Sequence, residues 1–158
     1  MTQDNSGLVL RGFLPYRLHN AAEKVSLAFA AVYKRQQELS RPEWRVLAIL
    51  AQLARATATE IGAQANMHKT KVSRAVFALE ERRWLARSAD DADRRVEWLQ
   101  LTRTGRSQFA KLSQSARQFE NELVAALGDK ATRRLLSALT RIEEIRLPEQ
   151  SHPHSRAR

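Results

Sequence analysis

Between residues 68 and 74 the chain reads HKTKVSR, which crowds His68, Lys69, Thr70, Lys71, Ser73 and Arg74 into two helical turns. At helical spacing Thr70, Ser73, Arg74 and Phe77 share one side of such a segment, while Val72, Ala75, Val76 and Leu79 share the other. Hydroxyls, an imidazole and cations on one face are hydrogen-bonding partners for phosphates and for base edges. A second polar stretch, DADRRVEWLQLTRTG at residues 91–105, sets Asp93, Arg94 and Arg95 on a tight loop ahead of an alternating strand. A loop so polar, tied to a strand so apolar, is held out toward something negatively charged. Asp93 can hydrogen-bond the loop and hold Arg95 in position, and Arg94 either shares that work or faces solvent.

The composition agrees with a polyanionic partner. The chain has 158 residues, with 27 lysines and arginines against 17 acidic residues and a formal net charge of +10. That length suits one domain, or one domain with additional helices. The charge surplus points first to nucleic acid. An arginine-rich composition also accompanies a GC-rich genome, so charge alone decides little. There is no cysteine, which closes disulfides, thiolate metal sites and cysteine-based redox sensing. Histidines occur only at 19, 68, 152 and 154, and no Ser-His-acid set, carboxylate pair or metal-ligand spacing stands out. The sequence is therefore not read as an enzyme, and no cofactor is expected. The N-terminus lacks a basic start with an apolar stretch, and the longest apolar run, residues 27–33, is too short for a membrane span. A cytoplasmic protein without membrane association is expected.

The elements that must position these groups are mostly helical. A flexible arm over residues 1–13 precedes a long first helix, roughly 15–37, with apolar residues at helical spacing. Ser40 with Glu43, and Thr57 with Glu60, form two capping boxes that open helices over about 42–54 and up to about Ala65. A turn at residues 66–68 leads to the amphipathic helix, expected over 69–83, so that a short helix, a turn and a polar-faced helix follow in helix-turn-helix order. Strands at 85–88 and 96–101 make a hairpin, or wing, with Leu99 and Leu101 on one face. Thr102 caps a long helix whose Phe109, Leu112, Ala116, Phe119, Leu123 and Ala126 recur in steps of three and four, the seam of helices that pack lengthwise. Gly128 ends it, a last helix carries Leu135, Leu136, Leu139 and Ile142, and the tail 148–158 is expected to be mobile. Its His152 and His154 are read as incidental, and Trp84 and Trp98 as packing residues. The fold class expected is mainly α with a small β-hairpin. A winged helix-turn-helix DNA-binding domain occupies 39–102, and residues 14–38 and 103–147 form a helical dimerisation region.

The segment DRRVEWLQLTRTG matches the D-x-R-x-x-x-L-x-L-T-x-x-G wing signature of the MarR family of bacterial transcription regulators at Asp93, Arg95, Leu99, Leu101, Thr102 and Gly105. KTKVSRAVFALEERRWL resembles that family's recognition helix, and LPYRLHNAAEKVS with PEWRVLAIL resembles the start of one proteobacterial subgroup. The resemblance covers about residues 14–146. Two departures are His68, where the family often has an acidic residue, and Arg83, where it usually has glycine.

The resemblance implies a homodimer that binds a pseudopalindromic operator in double-stranded DNA, with repression as the usual outcome. Thr57, His68, Lys69, Thr70, Lys71, Ser73, Arg74, Arg94 and Arg95 are the DNA-contact candidates, and Asp93 positions the wing. It further implies release by a small phenolic or aromatic carboxylate effector. Tyr16, Arg17, His19, Trp44 and Arg45 are the candidates for that site, supplying an aromatic wall, a carboxylate clamp and a polar tip. Trp44 as a core residue and Arg17 as an ordinary ion-pair partner are the competing readings. A basic protein that coats DNA or RNA without sequence preference is the competing function, because phosphate attraction serves both.

Overall fold

The computed structural model describes residues 8–146. The expected tail, with His152 and His154, and most of the N-terminal arm lie outside the described residues. Six helices and three short strands succeed one another as α1 (Leu14–Gln37), α2 (Arg41–Leu53), β1 (Arg55–Ala56), α3 (Ala58–Ala65), α4 (Lys69–Glu81), β2 (Leu85–Ala89), β3 (Glu97–Leu101), α5 (Arg103–Leu127) and α6 (Asp129–Glu144). Contacts divide the chain into two compact units, residues up to 118 and residues from 119 onward, and α5 runs across the division.

The first unit is built around α2. Its start is fixed by a complete capping box: Ser40 N–H donates to Glu43 Oε2 at 2.9 Å, and Glu43 N–H donates to Ser40 Oγ at 3.4 Å. From there Val46, Leu47, Ile49 and Leu50 turn one face inward. They meet Ile61 of α3, Val72, Ala75, Val76 and Leu79 of α4, Leu85 of β2, Leu99 and Leu101 of β3, and Leu112 of α5, all in one buried cluster. A leucine or valine so buried contributes about 1.5–3 kcal/mol relative to leaving it exposed. The core therefore grips the inner faces of the helix-turn-helix and the hairpin together.

The hairpin acquires a third strand. The sheet order is β1-β3-β2, all antiparallel, with Leu85 opposite Leu101, Arg87 opposite Leu99, and Ala56 of β1 opposite Leu99 on the other edge. Two residues carry no periodicity, so β1 is invisible to a sequence reading. It forms because Ala56 is buried where α2 hands over to α3 beside the open edge of β3.

Helix α4 ends at Glu81, two residues before the expected 83. Arg83 N–H donates to Glu80 O at 2.7 Å and Trp84 N–H donates to Leu79 O at 2.9 Å, which together make a Schellman cap. Arg83 consequently sits at φ 58°, the left-handed region that glycine usually fills. In the second unit α6 buries none of its residues and leaves Leu135, Leu136 and Leu139 exposed.

Candidate nucleic-acid interface

The turn between α3 and α4 is set by local hydrogen bonding. Thr57 and Glu60 complete the second capping box, with Thr57 N–H donating to Glu60 Oε2 at 2.7 Å and Glu60 N–H donating to Thr57 Oγ1 at 3.2 Å. The Thr57 hydroxyl also donates to Glu60 Oε2 at 2.9 Å, so both of its capacities are used inside the box. These donors, the Thr57 backbone first, hold the Glu60 carboxyl below its usual range. Asn66 then takes a left-handed conformation at φ 49°, which asparagine tolerates, and Met67 N–H donates to Gly62 O at 2.9 Å. A side chain at Gly62 would place its Cβ 3.2 Å from Met67 O, so glycine allows this close return of the chain. His68 begins α4 and caps it through Nδ1, which accepts from Thr70 N–H at 3.4 Å.

Helix α4 lies with Val72, Ala75, Val76 and Leu79 buried and with Lys69, Thr70, Lys71, Ser73, Arg74 and Phe77 exposed. None of the Lys69, Lys71 and Arg74 side chains has an ion-pair partner among the described residues. Such a face keeps its cations and hydroxyls available to an incoming polyanion.

The wing is stiffened at both ends. At its base Arg87 of β2 donates to Glu80 of α4 at 2.7 and 2.8 Å and to Glu97 of β3 at 3.0 Å, tying the hairpin to the last turn of the polar-faced helix. Near its tip Asp90 Oδ1 accepts from Ala92 N–H at 2.9 Å and Asp93 N–H at 3.0 Å, while Oδ2 accepts from the Trp98 indole N–H at 2.7 Å. The Trp98 bond first, then the two backbone donors, holds the Asp90 carboxyl below its usual range. On the same indole lies Arg55, its guanidinium carbon 4.3 Å from the ring centroid. Asp93 Oδ1 accepts from Arg95 N–H at 3.0 Å, and Val96 N–H closes on Asp93 O at 2.9 Å. Arg94 and Arg95 project from this braced loop as exposed residues, with no side-chain partner among the described residues. Sequence reasoning had the Asp93 contact in view and missed Asp90, Glu80 and Arg87. The available signal was the run ADDAD, in which an aspartate at a turn start accepts from N–H groups two and three residues on.

The remaining wing residues join the wing to α5. Thr102 Oγ1 accepts from Gly105 N–H at 3.0 Å, capping α5, and donates to Arg83 O at 2.7 Å. Gly105 is buried against the backbone of Trp84, where an added Cβ would lie 2.0 Å from Trp84 O. Leu99 and Leu101 fill the core. Asp93, Leu99, Leu101, Thr102 and Gly105 of this segment thus each have a mechanical task, while the Arg95 side chain stays exposed.

A family model for the MarR family matches residues 39–96, the span from the cap of α2 to the end of the wing loop. A MarR family transcriptional regulator from Silicibacter pomeroyi DSS-3, SPO1453, is 32% identical, with a TM-score of 0.68, and the match covers 84% of this chain and 98% of that one. This chain belongs to the MarR family. It is accordingly a DNA-binding transcriptional regulator and not an enzyme. The transcriptional repressor CouR, solved bound to a 23-mer DNA duplex, is 27% identical with a TM-score of 0.76, over 90% of this chain and 98% of that one. BpsR of Bordetella bronchiseptica, whose DNA binding is regulated by 6-hydroxynicotinic acid, shares the fold at 19% identity and a TM-score of 0.74, over 85% of this chain and 96% of that one. No curated protein matches the chain.

In this MarR-family chain the five effector candidates have different surroundings. Trp44 stacks on Tyr33 and Phe109 at centroid distances of 5.6 and 6.0 Å and meets Phe29 edge-on at 5.2 Å, inside an aromatic cluster beside the core. Arg45, one residue on, points elsewhere and donates to Ala65 O at the end of α3. Tyr16, Arg17 and His19 are exposed on the first turns of α1. Glu23, one turn beyond His19, is held below the usual carboxylate range chiefly by its bond to Arg41, with His19 and Arg45 adding to the effect. Arg41 grips Glu23 with two bonds of 2.7 and 2.9 Å. Beside this pair Arg41, Pro42, Arg45, Met67, His68 and Lys71 line a cleft of about 300 Å³, basic at its rim and apolar on Pro42 and Met67. Among the described residues no cluster of His, Asp or Glu could hold a metal ion, and no helix is long and apolar enough to cross a membrane.

Proposed function

We propose that this chain is a sequence-specific repressor that binds a pseudopalindromic operator as a homodimer in the cytoplasm and is released by a small aromatic or phenolic carboxylate. The observation that carries the reading is the outward face of α4: Thr70, Ser73 and Arg74 can discriminate bases, whereas a coating protein needs only cations. His68, Lys69 and Lys71 supply phosphate contacts around them, and Thr57 sets the start of α3. Arg94 and Arg95, on the loop that Asp93 holds, suit the narrow and electronegative minor groove. CouR, bound to duplex DNA, supports the same mode of use.

Residues 14–38 and 103–147 would supply the dimer contacts, since Leu14, Leu135, Leu136 and Leu139 are exposed apolar side chains that a second copy would cover. Two-fold symmetry places half-sites about one helical turn, ~34 Å, apart. For the effector, the cleft that includes Arg45 and Lys71 offers cations for a carboxylate and an apolar wall for a ring, at the small end of ligand-pocket volumes. Tyr16, Arg17 and His19 would act from the neighbouring surface of α1, and Trp44 by supporting α2 from the aromatic cluster.

The test is the affinity ratio between a selected duplex and random duplex at physiological salt, repeated with a panel of small aromatic acids. The reading expects a ratio of at least ~10³, lowered by one of the acids. A ratio near one favours the coating protein. Arg95→Ala is expected to weaken DNA binding with its melting temperature unchanged, and parental affinity in that variant would overturn the wing assignment.

A further inference from the structure

Phe77 is 62% exposed although it sits in the middle of a helix that buries every other large apolar residue it carries. It lies three, four and seven positions after Arg74, Ser73 and Thr70, which places it on the same outward stripe. Neither the core cluster nor the aromatic cluster around Trp44 includes it. Whatever covers this ring must also satisfy Thr70, Ser73 and Arg74 along the stripe and accept Lys69 and Lys71 at its edges. The required surface is anionic at its rims, hydrogen-bonding along its floor and apolar at one point. The DNA major groove has that layout, with phosphates on both walls, donors and acceptors on the floor, and the thymine C5-methyl as its apolar feature.

We propose that Phe77 is a specificity-determining residue that packs against the C5-methyl group of a thymine, so that the outward face of α4 reads one base by shape beside those read by Thr70, Ser73 and Arg74. The assignment rests on the DNA-binding reading above. The helical rise puts Phe77 about 10 Å along the axis from Thr70, or about three base-pair steps at 3.4 Å each, so the thymine is expected about that far from the base Thr70 meets.

The experiment starts from duplexes selected from a random pool by the full-length chain. Each thymine of the recovered site is replaced singly by deoxyuridine, which removes only the methyl group, and dissociation constants are measured for the parent and for Phe77→Ala. The parent should bind one uracil duplex about fourfold more weakly, the value of one methyl-sized group buried. Phe77→Ala should bind the thymine and uracil forms equally, and its melting temperature should match the parent's because the ring is exposed. Phe77→Leu should recover part of the preference. Parent binding that ignores uracil at every position, a selected site without thymine, or an equal uracil effect in Phe77→Ala each overturns the assignment while leaving sequence-specific binding intact. Failure to enrich any site overturns both.

Discussion

One hydrogen atom separates Gly105 from a collision, because a methyl group in its place would put a carbon 2.0 Å from the carbonyl oxygen of Trp84. That oxygen is also the acceptor for Thr102 N–H at 3.0 Å, so it cannot retreat without breaking the join between the end of α4 and the start of α5. Gly105→Ala is therefore expected to destabilise the protein by about 1–3 kcal/mol, the usual cost of overpacking, read from the urea midpoint. An unchanged midpoint would mean that α5 can slide away freely. Asp90 is decisive in a different way, since its two oxygens take three N–H donors. Asparagine could keep the backbone bonds but would turn an amide N–H₂ toward the Trp98 N–H. Asp90→Asn should thus loosen the wing tip and weaken DNA binding while the core melts near the parental temperature. The sign of its pH dependence follows from the same bonds. The folded carboxyl is held below its ordinary value. Its contribution is complete above the unfolded value and is lost as pH falls through the folded one. An acid titration followed by the Trp98 indole N–H resonance should show a change only below the ordinary carboxylate range, and Asp90→Asn should abolish it.

At the scale of elements one strained position lies at the end of α4. Arg83 occupies the left-handed position of a complete Schellman cap, where a side chain costs about 1–2 kcal/mol that glycine avoids. Glycine also loosens the unfolded chain, which offsets part of the gain. Arg83→Gly is expected to raise stability by about 0.5–1 kcal/mol, measured by denaturant unfolding, with DNA affinity unchanged. A loss of stability would show that the arginine side chain makes a compensating contact. Here the sequence was informative about the residue and two positions off at the boundary: an arginine where glycine is customary marks the site, but the bonds from Arg83 and Trp84 back to Glu80 and Leu79 end the helix at Glu81. Capping boxes were legible because Ser40–Glu43 and Thr57–Glu60 act within four residues. Strand β1 was not, because its two residues are recruited by β3, more than forty positions away.

For the whole molecule, a net charge of +10 hides a division of labour among the cations. Arg41, Arg87, Arg82 and Arg55 are engaged by Glu23, by Glu80 and Glu97, by the carbonyls of Gln37 and Glu38, and by the Trp98 ring. Lys69, Lys71, Arg74, Arg94 and Arg95 stand on α4 and the wing tip as exposed residues. If each of the latter neutralises one phosphate, the logarithm of the binding constant should fall with the logarithm of salt concentration at a slope of about −4 to −5 per bound chain. Arg94→Ala or Lys71→Ala should each flatten that slope by about one. A slope that neither variant changes would move the phosphate contacts to other cations.

The sequence by itself determined the class of fold and the polar outward face of α4, because helical periodicity, capping and charge are properties of neighbouring residues. It also marked Asp93, Arg95, Leu99, Leu101, Thr102 and Gly105 as a unit. What each does there was decided by tertiary structure: Thr102 reaches Arg83, Gly105 abuts Trp84, and Arg87 bridges α4 to the wing. The separation of Trp44 from Arg45 was settled in the same way. Neighbours in sequence point about 100° apart on a helix, so one entered the aromatic cluster and the other turned to the rim of the cleft. Local interactions are written in short stretches of chain, whereas burial and cross-element bonds depend on which surfaces the folded backbone brings together.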